Sequence, residues 1–408
     1  MPAETDATTK NGAIALSLPE AEIINAIRTF GELSRTDLAR KLGFSRASVT
    51  ALINALLEKD ILHEAGPGES QGGRRPVLLA LNGQLGYLVG VDMGATSVSL
   101  ALADLNGVIL ARASEPADVR DTPEQMLGRI GDIALELLQQ QGGEPTQVIG
   151  VGLGVPGPVE FSRGILIAPP LMPRWEGYPI KQFMRQIFPA AQVVVDNDVN
   201  VMAIGESYAG AGHGIDNFIF IKIGTGIGSG IICQGQIYRG SDGCAGDVGH
   251  ICIDYNGPVC HCGNIGCLEA MAAGPAIAKR AATAAQAGQS EFLATRLAEN
   301  KDLTAIDVGE AAAAGDQAAN EIIKDSGRMI GGMLAGLVNF FNPRLILIGG
   351  GVSKIGIKFL SSIRQAVLRR STALSTQDLR IEYSSLGDDA GIVGAIQLAS
   401  DYVFTVHN

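Results

Sequence analysis

Apolar positions near the start of the chain recur at helical spacing in three short segments. In the third segment, residues 45–59, the apolar stripe is formed by five side chains: Val49, Leu52, Ile53, Leu56 and Leu57. A glycine-rich stretch and the strand-like segment Val77–Leu81 follow. This order of elements predicts an all-α winged helix-turn-helix domain over residues 18–82, preceded by a disordered leader over residues 1–17.

Beyond residue 83 the pattern changes to apolar strands separated by glycine turns. Three successive strand-like segments precede an amphipathic helix and a further strand, and part of this order returns in the second half of the chain. We therefore expect an α/β body of two related lobes with a cleft. The first lobe would cover residues 83–197 with the C-terminal helix over residues 390–408, and the second would cover residues 198–389.

Composition and charge narrow the possible partners of the chain. A hydrophobic content of 46% with 18% charged residues excludes wholesale disorder, and the net charge of −11 argues against a chain coated for nucleic acid. Residues 34–59, however, hold five basic and two acidic residues, a net charge of +3. The first ten residues lack an export signal and no apolar run is long enough for a membrane span, so we expect a cytoplasmic protein without a membrane partner.

The polar face of the third helix can read base edges in the major groove, and the glycine-rich stretch before residue 77 can contact phosphates as a wing. Seven residues are the DNA-binding candidates: Ser45, Arg46, Ser48, Thr50, Asn54, Arg74 and Arg75. The alternative is a three-helix protein-interaction module. The serine caps, the basic balance and the Gly-Gly-Arg-Arg sequence of the wing favour DNA.

Cysteine and histidine residues crowd together in the middle of the chain. His250, Cys260, Cys262 and Cys267 offer one imidazole and three thiolates, which fill the tetrahedral shell of a structural zinc ion. His261 competes as the fourth ligand, but it is squeezed between two ligating cysteines and would point away. The alternative is a cluster of reduced core cysteines, and the spacing favours zinc.

Two further patterns carry chemistry at the ends of predicted strands. The run from Asp196 to Asn200 follows an apolar strand, where carboxylates and amides can bind the hydroxyls of a polar ligand. By itself such a run is more often an Asx turn that caps a helix. Glycine turns at residues 92–96, 224–228 and 349–351 can cradle phosphate with backbone N–H groups, although each one alone is usually a hairpin.

Taken together, these motifs resemble the ROK (repressor, open reading frame, kinase) family and, with the N-terminal helices, its NagC/XylR/Mlc-type transcriptional regulators. The most specific part is Gly246-Asp247-Val248-Gly249-His250, followed by Cys260-x-Cys262-Gly-x-x-Gly-Cys267-Leu268-Glu269. The resemblance implies a duplicated, actin-like (RNase-H-like) sugar-kinase fold that binds sugar between two lobes. Its kinases bind ATP on the glycine turns.

The resemblance also implies roles for individual residues. Asn197, Asp198, Asp247, His250 and Glu269 would bind the sugar, with Asp198 as the catalytic base in a kinase and His250 also bound to zinc. The turns that would bind ATP and magnesium in a kinase comprise eight residues: Asp92, Gly94, Thr96, Gly224, Thr225, Gly226, Gly228 and Gly350.

The hypothesis that this resemblance favours is a repressor of carbohydrate genes whose body binds a sugar or sugar phosphate effector. Its DNA partner would be a double-stranded operator in a prokaryotic nucleoid. The alternative is an ATP-dependent sugar kinase acting on a hexose. The N-terminal domain favours the repressor. Ala95 favours it as well, because the resemblance places close backbone contact with phosphate at this position in the kinases, where a Cβ takes up space and restricts positive φ. We further expect a homodimer or a dimer of dimers, and a regulatory protein is a possible additional partner.

Overall fold

The computed structural model describes residues 14–69 and 75–406. The N-terminal segment holds three helices and four short strands, in this order: β1 (Ile14–Leu16), α1 (Leu18–Phe30), β2 (Leu33–Ser34), α2 (Arg35–Leu42), α3 (Arg46–Glu58), β3 (Leu62–Pro67) and β4 (Val77–Leu81). Strands β2, β4 and β3 pair antiparallel in a single sheet. The three predicted helices are therefore present, and the predicted wing contains the antiparallel strand pair β3 and β4.

The body begins with strands that the sequence pattern predicts closely. Its first elements are β5 (Tyr87–Met93), β6 (Ser97–Asp104), β7 (Ile109–Pro116), α4 (Pro123–Gln140), β8 (Val148–Val155), β9 (Val159–Glu160), β10 (Ile165–Leu166), α5 (Ile180–Ile187) and β11 (Gln192–Asn197). Five of these strands form one sheet in the order β11-β8-β5-β6-β7. Helix α4 buries its apolar stripe, which includes Leu127, Ile130 and Leu138.

The rest of the body is richer in helices. Its elements are α6 (Asp198–Ala209), β12 (Phe218–Ile223), β13 (Ile227–Cys233), β14 (Gln236–Tyr238), α7 (Leu268–Ala272), α8 (Gly274–Gln286), α9 (Glu291–Asn300), α10 (Ala305–Ala313), α11 (Gln317–Phe341), β15 (Leu345–Gly349), α12 (Ile357–Arg370), α13 (Ala373–Thr376), β16 (Arg380–Tyr383), α14 (Ala390–Val403) and β17 (Phe404–Val406). A second five-stranded sheet has the order β14-β13-β12-β15-β16. The predicted pair of related α/β halves is thereby confirmed.

The two faces of the second sheet bury different helices. Phe218 and Phe220 of β12 pack with Val199 and Met202 of α6 on one face. Ile219 and Ile221 lie on the opposite face, in the core that includes α8, α10, α11 and α12. This division follows from the strand geometry, in which successive side chains point to opposite faces of a sheet.

The predicted disordered leader is wrong for residues 14–17. Strand β1 pairs in parallel with β17, and Ile14 and Leu16 are buried. Ser17 then precedes α1, and Glu20 closes a capping box with it. Burial of two apolar side chains against the C-terminal strand supplies the stabilisation that the local sequence does not reveal. Residues 1–13 lie outside the described part of the chain.

The chain divides into two compact units. The first comprises the residues up to 153, residues 178–195 and the residues from 395 onward, and the second comprises residues 154–177 and 196–394. The predicted first lobe included residues 154–177, 196–197 and 390–394, which instead belong to the second unit. Local contacts explain this: the Gly157 carbonyl accepts a hydrogen bond from Asn197.

Among the described residues, no helix combines the length and the hydropathy needed to cross a bilayer.

Candidate functional site

The acidic and amide run spans the end of β11 and the beginning of helix α6, in the second unit. Asn197 is the N-cap: its Oδ1 accepts from the backbone N–H groups of Val199 at 2.9 Å and of Asn200 at 3.4 Å. Its Nδ2 donates to the Gly157 carbonyl at 3.0 Å. The Asx-cap interpretation therefore holds for Asn197, whose side chain is fixed by the fold itself.

Two carboxylates of the same run are buried and paired with basic side chains that the sequence analysis did not single out. Asp196 is 1% exposed and accepts from Nε of Arg239 at 2.8 Å. Asp198 is 4% exposed, and its Oδ2 accepts from the ammonium group of Lys222 on β12. A mostly buried carboxylate needs such a partner, since an uncompensated charge in that position is costly.

Neighbouring groups fix the position of Asp196 and of its partner. Oδ1 of Asp196 accepts from Nδ2 of Asn200 at 3.0 Å. The guanidinium of Arg239 lies 3.8 Å from the centre of the Phe161 ring, a cation–π arrangement. Asn200 Oδ1 is buried without a hydrogen-bond partner among the described residues. These contacts hold the Asp196 carboxylate and the Arg239 guanidinium in place beside the start of α6.

Glu269 connects the cysteine-rich loop to the second predicted phosphate turn. It lies in the first turn of α7, and its Oε2 accepts from the backbone N–H of Ile227 at 3.0 Å. A Cβ at Gly226 would lie 2.4 Å from that same oxygen, so only glycine permits the contact. The structure therefore brings Glu269 and the turn at residues 224–228 together.

The four predicted metal ligands form one cluster. The ligand atoms of His250, Cys260, Cys262 and Cys267 all lie within 4.8 Å of one another. Cys262 Sγ is 3.8 Å from Cys267 Sγ, and Cys260 Sγ is 3.5 Å from His250 Nδ1. A tetrahedral ion with metal–sulfur bonds of about 2.3 Å and metal–nitrogen bonds of about 2.1 Å requires separations of about 3.8 and 3.6 Å. Both of these pairs match a tetrahedral shell, and the four ligand atoms together could hold a metal ion.

The loop that carries the cluster is shaped by its glycines and by burial. A Cβ at Gly266 would lie 1.6 Å from the Asp254 carbonyl oxygen, and Gly266 has a φ of +70°. Burial and a hydrogen bond with the Cys262 thiol raise the pKa of Cys267 to about 12, so a bound ion has to displace its proton. His261 is exposed and lies outside the cluster, as the spacing argument predicts.

The remaining sugar candidate and the phosphate turns lie in less enclosed positions. The side chain of Asp247 is 54% exposed, and its Oδ1 is 3.8 Å from Nε2 of His250. Gly350 follows β15, and Thr225 is exposed at the tip of the turn after β12. The Gly224 carbonyl accepts from the N–H of Gly274, where α8 begins. These backbone segments meet at one end of β12 and β15.

The predicted turn at residues 92–96 belongs to the first unit. Gly94 donates its N–H to the Ser97 carbonyl at 2.8 Å, which closes the hairpin between β5 and β6 beside Asp92 and Thr96. Ala95 is not among the residues with positive φ. The expected restriction on φ is therefore no obstacle at this position.

Helix α3 has one buried face and one open face. Val49, Ile53 and Leu56 are fully buried, whereas four of the DNA-binding candidates on the helix are exposed: Arg46, Ser48, Thr50 and Asn54. Ser45 caps the helix by accepting from the Ser48 N–H at 3.1 Å. The open face carries small side chains apart from Arg46 and Asn54, so a DNA groove could approach closely. Arg75 is exposed near the start of β4, and Arg74 lies outside the described residues.

The comparisons with known proteins agree with this architecture. A model of the ROK family matches residues 88–402. A xylose repressor from Caldicellulosiruptor bescii is 32% identical over 368 residues, which cover 90% of this chain and 91% of that protein. The similarity therefore includes the N-terminal helices as well as the body.

Two solved structures resemble the chain over different lengths. A ROK family transcriptional regulator, a homologue of the Escherichia coli Mlc protein, has a TM-score of 0.79 at 28% identity and covers 94% of this chain and 97% of its own. A ROK family glucokinase from Streptomyces griseus, in complex with glucose and AMPPNP, has a TM-score of 0.69 at 32% identity. It covers 78% of this chain and 100% of its own. Both the repressors and the kinases of this fold thus share the body, and the chain belongs to the ROK family.

Proposed function

We propose that this protein is a sugar-responsive, DNA-binding transcriptional repressor. One observation carries the proposal: the exposed polar face of α3 is joined to a ROK body, and regulators match the chain over both parts. The family model begins at residue 88, beyond α3, and the glucokinase structure covers only 78% of the chain. An operator-binding repressor of this kind works in the cytoplasm on double-stranded DNA.

Operator binding is assigned to α3 and to the hairpin of β3 and β4. In a helix-turn-helix protein the start of the second helix of the motif reads base edges, and here that position is occupied by Arg46. Ser48, Thr50 and Asn54 extend the same exposed face. Arg74 and Arg75 would contact phosphate in the wing. Because DNA half-sites suit a two-fold protein, we propose that the repressor acts as a homodimer.

We predict different consequences for two arginine substitutions. Arg46→Ala should cost about 1–3 kcal/mol of operator binding and relax the preference for one base pair, because the arginine reads a base edge. Arg75→Ala should weaken binding to all DNA sequences alike and lower the salt dependence by about one phosphate contact. Fluorescence anisotropy on operators selected from random DNA measures both effects.

Arg328→Ala is the matched control for these two variants, since Arg328 is exposed in the second unit and pairs with Asp325. It should bind operator like the wild type. Wild-type affinity and preference in both Arg46→Ala and Arg75→Ala would show that α3 and the hairpin do not read DNA.

The effector site is assigned to the buried start of α6 and the zinc loop. We propose that Asn197, Asp198, Asp247, His250 and Glu269 bind sugar hydroxyls. The cluster of His250 with the three cysteines would bind a structural zinc ion, because its donor set and its spacing suit that metal. When bound, zinc would act structurally: the residues it holds fix the loop between β14 and α7, which positions His250 and Glu269.

A sugar kinase is the second candidate, favoured by the glucokinase neighbour and the intact turn at residues 224–228. In this chain Oδ1 of Asp198 accepts from the Val199 N–H and Oδ2 accepts from Lys222. A base that must take a proton from a substrate hydroxyl is poorly served by an ammonium partner. This pairing favours an effector-binding role for Asp198.

We predict no sugar-dependent turnover in a coupled ATP-hydrolysis assay over a panel of hexoses and pentoses. Magnesium-ATP with each sugar is compared with magnesium-ATP alone, on protein that binds operator. Robust turnover that disappears in Asp198→Asn would contradict the repressor proposal and identify a kinase.

A further inference from the structure

Lys222 occupies a position on β12 where the local pattern calls for an apolar side chain. Phe218 and Phe220 precede it at alternate positions, on the face that packs against α6. Both phenylalanines are fully buried. Lysine continues this stripe at the end of the strand, and its side chain is only 21% exposed. A charged group in such a place requires a specific partner.

The partner is Asp198, the second residue of the polar run at the start of α6. Its side chain is 6% exposed, and its Oδ2 receives a hydrogen bond from Lys222 Nζ. Strand β12 and helix α6 both belong to the second unit, so this pair is a feature of one compact unit. The ammonium and the carboxylate thus stand side by side at the proposed effector site.

We propose that Lys222 is a specificity-determining residue, which together with Asp198 recognises one hydroxyl group of an uncharged sugar. The inference rests on the proposed effector function of this site. A hydroxyl group has one donor and two acceptor positions, a carboxylate only accepts, and an ammonium only donates. The sugar hydroxyl donates to Asp198 and accepts from Lys222, so both of its hydrogen-bonding capacities are used.

The charges around the pair indicate an uncharged ligand. The positive charge of Lys222 is matched by Asp198, and that of Arg239 by Asp196. Glu269 and Asp247 add negative charge to the same region. A phosphate group binds where positive charge is in excess, as in arginine or lysine clusters. We therefore assign the parent sugar, rather than its phosphate, to this pair.

The pair also predicts how the site discriminates among sugars. A site built to hydrogen-bond a hydroxyl rejects the analogue that lacks it, because its buried polar groups are left unpaired. Removal of the recognised hydroxyl from the sugar should therefore abolish binding. A fluorine in its place, which accepts weakly and cannot donate, should not restore it.

The test is titration calorimetry on the full chain with D-xylose, D-glucose, N-acetyl-D-glucosamine and glucose 6-phosphate. Lys222→Met should weaken binding of the preferred sugar at least tenfold. Because that variant leaves Asp198 without its counter-charge, Asp198→Asn and the double variant Asp198→Asn/Lys222→Met are measured as well. In the double variant neither residue of the pair carries a charge, and binding should be at least fivefold weaker than in Asp198→Asn alone.

Lys358→Met is the matched control. Lys358 lies in the same unit and donates to Asn320 Oδ1 at 2.8 Å and to the Ala312 carbonyl at 3.1 Å. Its substitution should leave sugar affinity unchanged. Operator binding of every variant verifies that the chain is folded.

Each contrary outcome identifies what fails. Equal affinity of the double variant and Asp198→Asn would mean that Lys222 only neutralises Asp198, which overturns the inference and leaves the repressor proposal intact. Tighter binding of glucose 6-phosphate than glucose, lost in Lys222→Met, would assign Lys222 to a phosphate and also overturn it. Failure of wild-type protein to bind any of the four probes, with normal operator binding, would overturn the effector site and the inference together.

Discussion

Replacing Glu206 with glutamine is expected to lower the free energy of unfolding by about 3 kcal/mol or more. Glu206 lies on α6 and is 0% exposed. Its carboxylate accepts four hydrogen bonds from two backbone N–H groups and two serine hydroxyls: those of Ala211, Leu386, Ser384 and Ser385. A buried carboxylate surrounded by donors alone is satisfied only while both of its oxygens accept.

Glutamine has nearly the same shape but presents an NH₂ group in place of one oxygen. Ala211 N–H contacts Oε2 and Leu386 N–H contacts Oε1, so a backbone donor faces each side. Either orientation of the amide therefore sets its NH₂ group against a backbone N–H. Facing Leu386, it removes the acceptor of that N–H; facing Ala211, it leaves that N–H only the Ser385 hydroxyl oxygen, 2.8 Å away. Serine hydroxyls can rotate away from the conflict, whereas a backbone N–H cannot.

Denaturant unfolding followed by circular dichroism measures the effect. Ser384→Ala is the matched control, because it removes one donor and leaves the carboxylate three; it should cost about 1–2 kcal/mol. If Glu206→Gln were no less stable than Ser384→Ala, the four hydrogen bonds would not hold α6 to the segment that precedes α14 as the structure indicates.

The prediction of the fold succeeded where the evidence was local. The long helical pattern over residues 305–339 forms two helices, and it divides where Asp316 caps α11 by accepting from the Ala319 N–H. Ser34 and Ser45 likewise mark the beginnings of α2 and α3. Caps and apolar spacing are properties of a few neighbouring residues, so they can be recognised in the sequence.

The errors concern contacts between distant parts of the chain. Ile14 and Leu16 form a strand only because β17, from the opposite end of the chain, pairs with them. Residues 154–177 pack in the second unit, which no local pattern records. Strand β12 shows the same limit for the site: alternation places Lys222 on the face of Phe218 and Phe220, but the sequence does not reveal that Asp198 lies opposite.

Of the candidate sites, the metal cluster was the most predictable. Cys260, Cys262 and Cys267 lie within one short loop, and His261 is disfavoured as the fourth ligand because it lies between two ligating cysteines. The roles assigned to Asn197 and Asp198 came from resemblance, and the structure adds that one caps α6 and the other pairs with Lys222. Their contacts with sugar stay predictions.

Replacing Cys267 with serine is expected to abolish metal binding and, with it, the response to sugar. Cys267 is fully buried, and its Sγ lies 3.8 Å from Cys262 Sγ. Serine binds zinc far more weakly than a thiolate does, and three remaining ligands do not complete a tetrahedral structural shell. We therefore expect about one zinc per wild-type chain and none in the variant, measured by inductively coupled plasma mass spectrometry.

Loss of the metal should disturb the structure only in the loop, but it should remove most of the sugar affinity. Both helices that follow the loop retain their own cores, since Leu268 of α7 and Ile277 of α8 are fully buried. The segment between β14 and α7, by contrast, would lose the ion that is proposed to hold His250 and the three cysteines together. Limited proteolysis should therefore cut this segment in Cys267→Ser, and in wild-type protein treated with a chelator, while the rest of the chain resists.

Sugar affinity should fall at least tenfold in the same variant, because the loop carries His250 and leads directly into Glu269 in the first turn of α7. Cys244→Ser is the matched control, since Cys244 is exposed and outside the cluster; it should keep both zinc and sugar binding. A zinc-free preparation that still binds sugar with wild-type affinity would show that the loop is held by its hydrogen bonds alone. The geometry argues against that outcome, because the pairs Cys260–His250 and Cys262–Cys267 are already at the separations that a tetrahedral ion requires.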